Sequence, residues 1–151
     1  MIDKKHIGYN FPPVTLRVEE GRLKFLAKSL GETKGIYTDP DAAKAAGLPG
    51  LLAPPTFPFM LEIDALDLVD FMSVLGETLD KLLHGEENFN YYAPIYAGDN
   101  ITVCKKITDI VDKKDGALQF VISDNTFTNQ DGIIVADTRT NYVFRLSLIH
   151  I

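Results

Sequence analysis

Four long alternating stretches in the second half of the chain most constrain what it can fold into. Phe89 to Ile95, Ile101 to Val111, Leu118 to Thr128 and Ile133 to Leu146 each read as a strand. Gly98-Asp99, Asp115-Gly116 and Asp131-Gly132 mark hairpin-type turns between them. In the last stretch Ile134, Ala136, Tyr142 and Phe144 share one face, and Asp137, Arg139, Asn141 and Arg145 share the other. That is the pattern of a sheet with one wet side. A meander of long antiparallel strands is predicted, and its dry face needs something to cover it.

The first half supplies the cover. Val14 to Val18 alternates as a short strand, and from Glu19 the period changes, with Leu23, Leu26, Ala27 and Leu30 on one helical face and Gly31 placed to end the helix. Asp39 is placed to cap a two-turn helix that starts at Pro40, runs through Ala42, Ala43, Ala45 and Ala46, and stops at Gly47. After the proline-stiffened run Leu48 to Pro55, a third helix begins near Thr56 or Phe57. Phe57, Met60, Leu61, Ala65, Leu68 and Met72 recur along it at helical spacing, predicting one mostly buried helix. Glu62, Asp64, Asp67 and Asp70 scatter around this helix without cation-binding spacing and read as its solvated acidic side.

One buried helix and a long antiparallel sheet satisfy both apolar faces when the sheet curls around the helix. The fold class expected is therefore α+β, in the hot-dog arrangement of a long antiparallel sheet wrapped around a central helix. Periodicity alone leaves other α+β layouts open. The 151 residues, 46% of them hydrophobic, suit one domain spanning residues 1–151. A formal charge of -6 and the lack of a Lys/Arg cluster with interleaved aromatics argue against nucleic acid as a partner. Met1 to His6 has no apolar stretch behind its charges, and no apolar run approaches the 18 or so residues of a membrane span. A cytoplasmic location is expected. The lone Cys104 has no partner for an internal disulfide, and its alternating segment predicts a buried or half-buried thiol.

The stretch Gly31-Glu32-Thr33-Lys34-Gly35-Ile36-Tyr37-Thr38-Asp39-Pro40, followed by the alanine-rich helix and by Ala53-Pro54-Pro55-Thr56-Phe57, resembles the site of MaoC-like hot-dog hydratases and dehydratases. A second block, His84-Gly85-Glu86-Glu87-Asn88-Phe89-Asn90-Tyr91-Tyr92-Ala93-Pro94 with Ala97-Gly98-Asp99, resembles that family's first long strand and the turn after it. The resemblance implies chemistry on acyl thioesters, linked to CoA or to acyl-carrier protein, with no metal or cofactor. It also implies a site in which Gly31, Pro54, Pro55, Thr56 and Phe57 contact substrate.

Interconverting a 3-hydroxyacyl and an enoyl thioester needs a base at C2, an acid or positioned water at C3, and a donor to the thioester oxygen. In the family an Asp and a His supply the first two, and a backbone N–H at a glycine supplies the third. Here the Asp position is Glu32, the His position Tyr37 and the glycine position Pro55. Tyrosine, with an ordinary pKa of about 10, is a poor base at neutral pH. Proline has no N–H, and losing one such donor typically costs about 10²- to 10³-fold in rate.

The chain is therefore most similar to the non-catalytic half of the superfamily. That half occurs as the N-terminal domain of double hot-dog hydratases, or as a separate subunit of mycobacterial-type hydroxyacyl carrier-protein dehydratases whose catalytic partner brings the Asp and His. A homodimer, or a heterodimer with a catalytic hot-dog subunit, is implied. Two alternatives stand beside it: a self-sufficient hydratase or thioesterase using Glu32, Tyr37 or His84, and a non-enzymatic acyl-binding module. Their bland counterparts are a helix-end carboxylate at Glu32, a packing aromatic at Tyr37 and a turn histidine bonded to backbone at His84. The aromatics Phe57, Phe59, Phe89, Tyr91, Tyr92 and Tyr96 are expected in the core or at a dimer interface, some of them lining an acyl tunnel.

Overall fold

The structure is a computed structural model that describes residues 1–146. The apolar end run beyond Leu146, with His150, lies outside the described residues. A short strand β1 (Val14–Arg17) leads into α1 (Glu20–Leu30), then α2 (Gly35–Thr38), α3 (Pro40–Ala45), α4 (Phe57–Ala65) and α5 (Leu68–Leu75). Four long strands follow: β2 (Leu82–Tyr91), β3 (Asn100–Lys113), β4 (Leu118–Thr128) and β5 (Ile134–Arg145). All pairings are antiparallel, in the order β1-β3-β4-β5-β2. The sheet curls over α4, whose Phe57, Leu61 and Glu62 are buried against it, and this is the hot-dog arrangement.

Local rules explain the first half. Gly31 takes the left-handed conformation (φ 70°) that lets its N–H close the last turn of α1. The Asp39 carboxylate accepts from the N–H of Asp41 at 3.0 Å and Pro40 opens α3, as predicted. Thr56 makes no side-chain cap bond, so α4 is started by the prolines, with Phe57 N–H donating to the Pro54 carbonyl.

Several expectations are corrected. The predicted helix from Phe57 to Met72 is two helices, because the Asp67 side chain accepts from Val69 N–H at 2.7 Å and caps a fresh start at α5. Helical spacing carried across this break although α4 buries Phe57 and Leu61 in one core cluster and α5 buries Phe71, Met72 and Leu75 in another. The strand expected from Phe89 begins at Leu82 and ends at Tyr91, since pairing with β5 rather than apolar alternation sets its length. Cys104 is exposed: inward-facing positions in this part of β3 are odd-numbered, with Ile101, Val103, Lys105 and Ile107 all buried.

Bulges reset the inward face in three places. Between His84 and Glu86 the register with β5 shifts by one residue, so Glu87, and not Glu86, stands opposite Thr140. Gly85 is needed at this point, since a Cβ there would lie 2.6 Å from Val143 Cγ2 and 3.1 Å from the Asn141 carbonyl oxygen. A second shift between Ile107 and Asp109 moves the buried positions of β3 to Ile110. A third, near Thr128, leaves Ile134 exposed and Val135 buried, contrary to the face expected for Ile134.

Candidate functional site

The Gly31–Phe57 stretch builds a cleft at the N-terminal end of α4. Its volume is about 260 Å³, and its walls are Leu52, Ala53, Pro54, Pro55 and Pro58 on one side and Ala93, Pro94, Ile95 and Val135 on the other, closed by Tyr37 and Tyr91. Tyr91 donates its hydroxyl to the Pro55 carbonyl at 2.6 Å, and burial raises its phenol pKa. Among the described residues the lining includes no carboxylate, imidazole or amine. The cleft can hold an apolar chain, and the hydroxyl of Tyr37 in its wall has no hydrogen-bond partner among the described residues.

The sequence-predicted site residues divide across the molecule. Tyr37, Pro54 and Pro55 come together in the cleft. Glu32 does not join them: its carboxylate accepts from Lys34 N–H at 2.9 Å and lines a shallow surface hollow with Lys24, Lys28, Gly31, Thr33 and Thr38. Gly31 goes with it. Phe57 is in the core at 1% exposure, and Thr56 is exposed outside the cleft lining. His84 lies on β2 seven positions before Tyr91, on the order of 20 Å away along the strand.

The chemistry-bearing side chains gather instead beneath the second half of α4. Glu62, expected on a solvated side, is 3% exposed and forms an ion pair with Lys105 Nζ at 2.6 Å. Tyr142 donates to the same carboxyl oxygen at 2.7 Å and accepts from Lys105 at 2.7 Å, while Thr140 lies 3.1 and 3.2 Å from the two Glu62 oxygens. The other acidic residues of the stretch are more exposed: Asp64 pairs with Arg22, and Asp67 is the cap already described. Strand pairing lays the partners in rows across the concave face. Lys105, Asn125 and Thr138 are register partners in one row, and Ser123, Thr140 and Glu87 in the next. This polar belt separates an apolar cluster around Phe57, Leu61 and Phe127 from a second one around Phe71, Val121 and Phe144.

Proton positions in the belt are constrained by counting. Thr140 has one hydroxyl hydrogen, yet its oxygen is within bonding reach of both Glu62 and, at 2.8 Å, Glu87. Both contacts are hydrogen bonds at once when Glu87 carries a proton and donates to Thr140, which donates onward to Glu62. The electrostatics agree. Burial, and then the neighbouring Glu62 charge, push the Glu87 carboxyl up to about 7, against the opposing pull of Thr140 and Lys105. Burial depresses the Lys105 ammonium, partly offset by Glu62, and burial raises the Tyr142 phenol.

His84 stands at the margin of the belt. Its Nε2 is 3.4 Å from Glu87 Oε2, and its ring packs on Phe59 with centroids 5.2 Å apart. It is therefore not a turn histidine tied to backbone. Together with Glu62, Lys105 and Tyr142 it lines a cavity of about 160 Å³ whose remaining walls are Phe59, Ile63, Leu66, Leu68, Phe71 and Leu82. Sequence reasoning missed Glu62, Glu87, Lys105, Thr140 and Tyr142 as a group. One signal was available: Lys105 falls on the inward parity between Val103 and Ile107, where a lone charge requires a buried partner.

Comparison with known proteins first gives the class. A MaoC-like dehydratase superposes with a TM-score of 0.80 over 92% of this chain and 42% of its own, at 26% identity. The HadBC (3R-hydroxyacyl-ACP dehydratase) complex from Mycobacterium tuberculosis provides a chain with a TM-score of 0.78, covering 91% of this chain and 96% of that one, at 21% identity. The architecture is that of hot-dog hydratases and dehydratases. A UPF0336 protein of Streptomyces avermitilis is 38% identical over 111 residues, covering 72% of this chain and 73% of the relative. The family model described as "FAS1-like, dehydratase domain region" matches residues 5–138, and the chain belongs to that family.

Proposed function

We propose that this chain is the acyl-binding subunit of an (R)-3-hydroxyacyl-thioester dehydratase or enoyl-thioester hydratase, folded as one hot-dog domain. In this reading the apolar part of a CoA- or carrier-protein-linked substrate lies in the cleft between Pro55, Tyr37 and Tyr91, and the Asp and His that move protons come from a second hot-dog subunit. The observation that carries it is the composition of the cleft: Tyr37, Pro54 and Pro55 meet in an apolar slot, while Glu32 bonds elsewhere. The missing groups are a base and an acid, which a partner can bring; the apolar walls are already present. The fold-level likeness to HadBC, described as a complex, supports a two-subunit arrangement. Strand β2 is an edge of the sheet and ends beside the cleft at exposed Tyr91, with exposed Tyr92 just beyond it, an edge a second hot-dog subunit can cover.

Co-expression with a hot-dog protein carrying the Asp/His pair should give a stable complex that hydrates enoyl-CoA. Robust hydration by the purified chain alone would overturn the reading. One observation favours the second reading, of a self-sufficient hydratase or thioesterase: the His84–Glu87 contact beside a cavity. It requires activity of the isolated chain that His84→Ala abolishes.

A further inference from the structure

The cavity at the C-terminal end of α4 is built unlike the cleft. Its walls, Phe59, Ile63, Leu66, Leu68, Phe71 and Leu82, are apolar, but its floor is a fixed set of polar atoms on Lys105, Glu62, Tyr142 and His84. Lys105 Nζ has three N–H donors. Glu62 at 2.6 Å and Tyr142 at 2.7 Å take two of them; among the described residues the third has no hydrogen-bond acceptor, only the Phe71 and Tyr142 rings beneath the ammonium. The ammonium cannot swing away to find water, because the side chain is 6% exposed and Nζ sits 5.0 Å from the centroid of the Phe71 ring and 4.8 Å from that of Tyr142.

The charge of the floor selects the ligand. Glu62 already neutralises Lys105 at 2.6 Å, so an entering anion finds no uncompensated positive charge on the pair and lies beside the Glu62 carboxylate. An entering cation finds the Glu62 carboxylate already paired and the Lys105 ammonium beside it. A neutral oxygen meets neither penalty and supplies the acceptor that the third N–H lacks. At about 160 Å³ the cavity is close in size to engineered apolar cavities of roughly 150 Å³ that admit benzene, so the ligand has about six or seven heavy atoms.

We propose that this cavity is a binding site for a small neutral alcohol or ketone with an apolar body of about six carbons, inserted oxygen first, its oxygen accepting from Lys105 and its body held between Phe59, Leu66, Phe71 and Leu82. This site is separate from the cleft assigned to the thioester, and it stands whether or not that assignment does.

Cyclohexanol is the probe, titrated into the full chain and followed by protein NMR. The proposal expects saturable binding with shifts at His84, Phe71 and Tyr142. It expects binding at least tenfold weaker for cyclohexane, cyclohexanecarboxylate and cyclohexylammonium. Leu68→Trp, which fills the cavity from its half-exposed rim without touching the ion pair, should weaken cyclohexanol binding at least tenfold. Removing both ends of the ion pair together, in Glu62→Leu/Lys105→Met, should erase the preference for cyclohexanol over cyclohexane. No saturable binding of cyclohexanol, equal binding of the carboxylate or of cyclohexane, or unchanged binding by Leu68→Trp would each overturn the proposal.

Discussion

The two ends of α4 face opposite kinds of surroundings. Its N-terminal end opens on a slot of prolines and aliphatics whose one tied hydroxyl belongs to Tyr91. Its second half presses a carboxyl group onto a belt of Lys105, Thr138, Thr140 and Tyr142. The first end carries Tyr37, Pro54 and Pro55 but no proton-moving pair among the described residues. The second carries an ion pair, a carboxyl poised near neutrality and a histidine, at positions the motif does not mark. The difference teaches that a linear motif gathers part of its residues at one end of the helix, whereas the capacity for acid–base work follows from which side chains the sheet brings under the helix.

The sharpest way to break this contrast is to unbalance the belt. Glu62→Ala leaves Lys105 buried without its counter-charge and should cost about 3–5 kcal/mol in urea unfolding, and Lys105→Met should cost a similar amount. The double change Glu62→Leu/Lys105→Met should cost less than either single change, because no orphaned charge remains. A double variant as unstable as the sum of the singles would show that the two side chains are not energetically coupled.

Gly85→Ala tests the bulge that brings Glu87 rather than Glu86 to the inner face. The new methyl group would be forced against Val143 and the Asn141 carbonyl, and the expected cost is about 1–3 kcal/mol. An unchanged midpoint in denaturant would mean that the bulge relaxes freely.

The belt should also show in pH dependence. The folded Glu87 carboxyl titrates near 7, above the ordinary 4.5, so between these values the folded state holds more protons than the unfolded one. Its contribution to stability is therefore most favourable below pH 4.5 and is lost as pH rises through about 7. Glu87→Gln should flatten this loss. It should gain about 1–2 kcal/mol on the parent protein across the window, less than the whole shift implies because the carboxyl keeps some contact with solvent. Parallel stability–pH curves for parent and variant would contradict the assignment.

The smallest effect belongs to the other end. Tyr91→Phe removes the bond to the Pro55 carbonyl at the half-exposed rim of the cleft and should cost about 0.5–1.5 kcal/mol, with no change in the pH profile. A pH-dependent loss would mean that the two ends are coupled through β2.

Much of the fold was legible because it rests on local rules. Asp39, Pro40 and Gly31 act where capping chemistry predicts, and the strand meander follows from alternation and turn residues. The break between α4 and α5 was visible in Asp67, but the apolar spacing that continued across it concealed the cap. The site was legible in part. Tyr37, Pro54 and Pro55 do meet, whereas Glu32 turns to the Lys34 N–H at the end of α1, a local bond that a linear motif does not reveal.

The amino-acid sequence by itself determined the long-stranded sheet, the helix beneath it, and the family to which the chain belongs. It also put Glu32, Tyr37 and Pro55 where the resemblance implies an acid, a base and a glycine. Only the tertiary structure decided which carboxyl groups are buried. Glu62 reads as one acidic residue among four on a helix, and Glu87 as one of two adjacent glutamates. The curl of the sheet set Lys105 under the first, and a one-residue bulge at Gly85 turned the second inward. The physical reason is that burial and charge pairing depend on which strands lie side by side and in what register. Those contacts join residues 43 to 80 positions apart, as in Glu62 with Lys105 and with Tyr142, beyond the reach of local pattern.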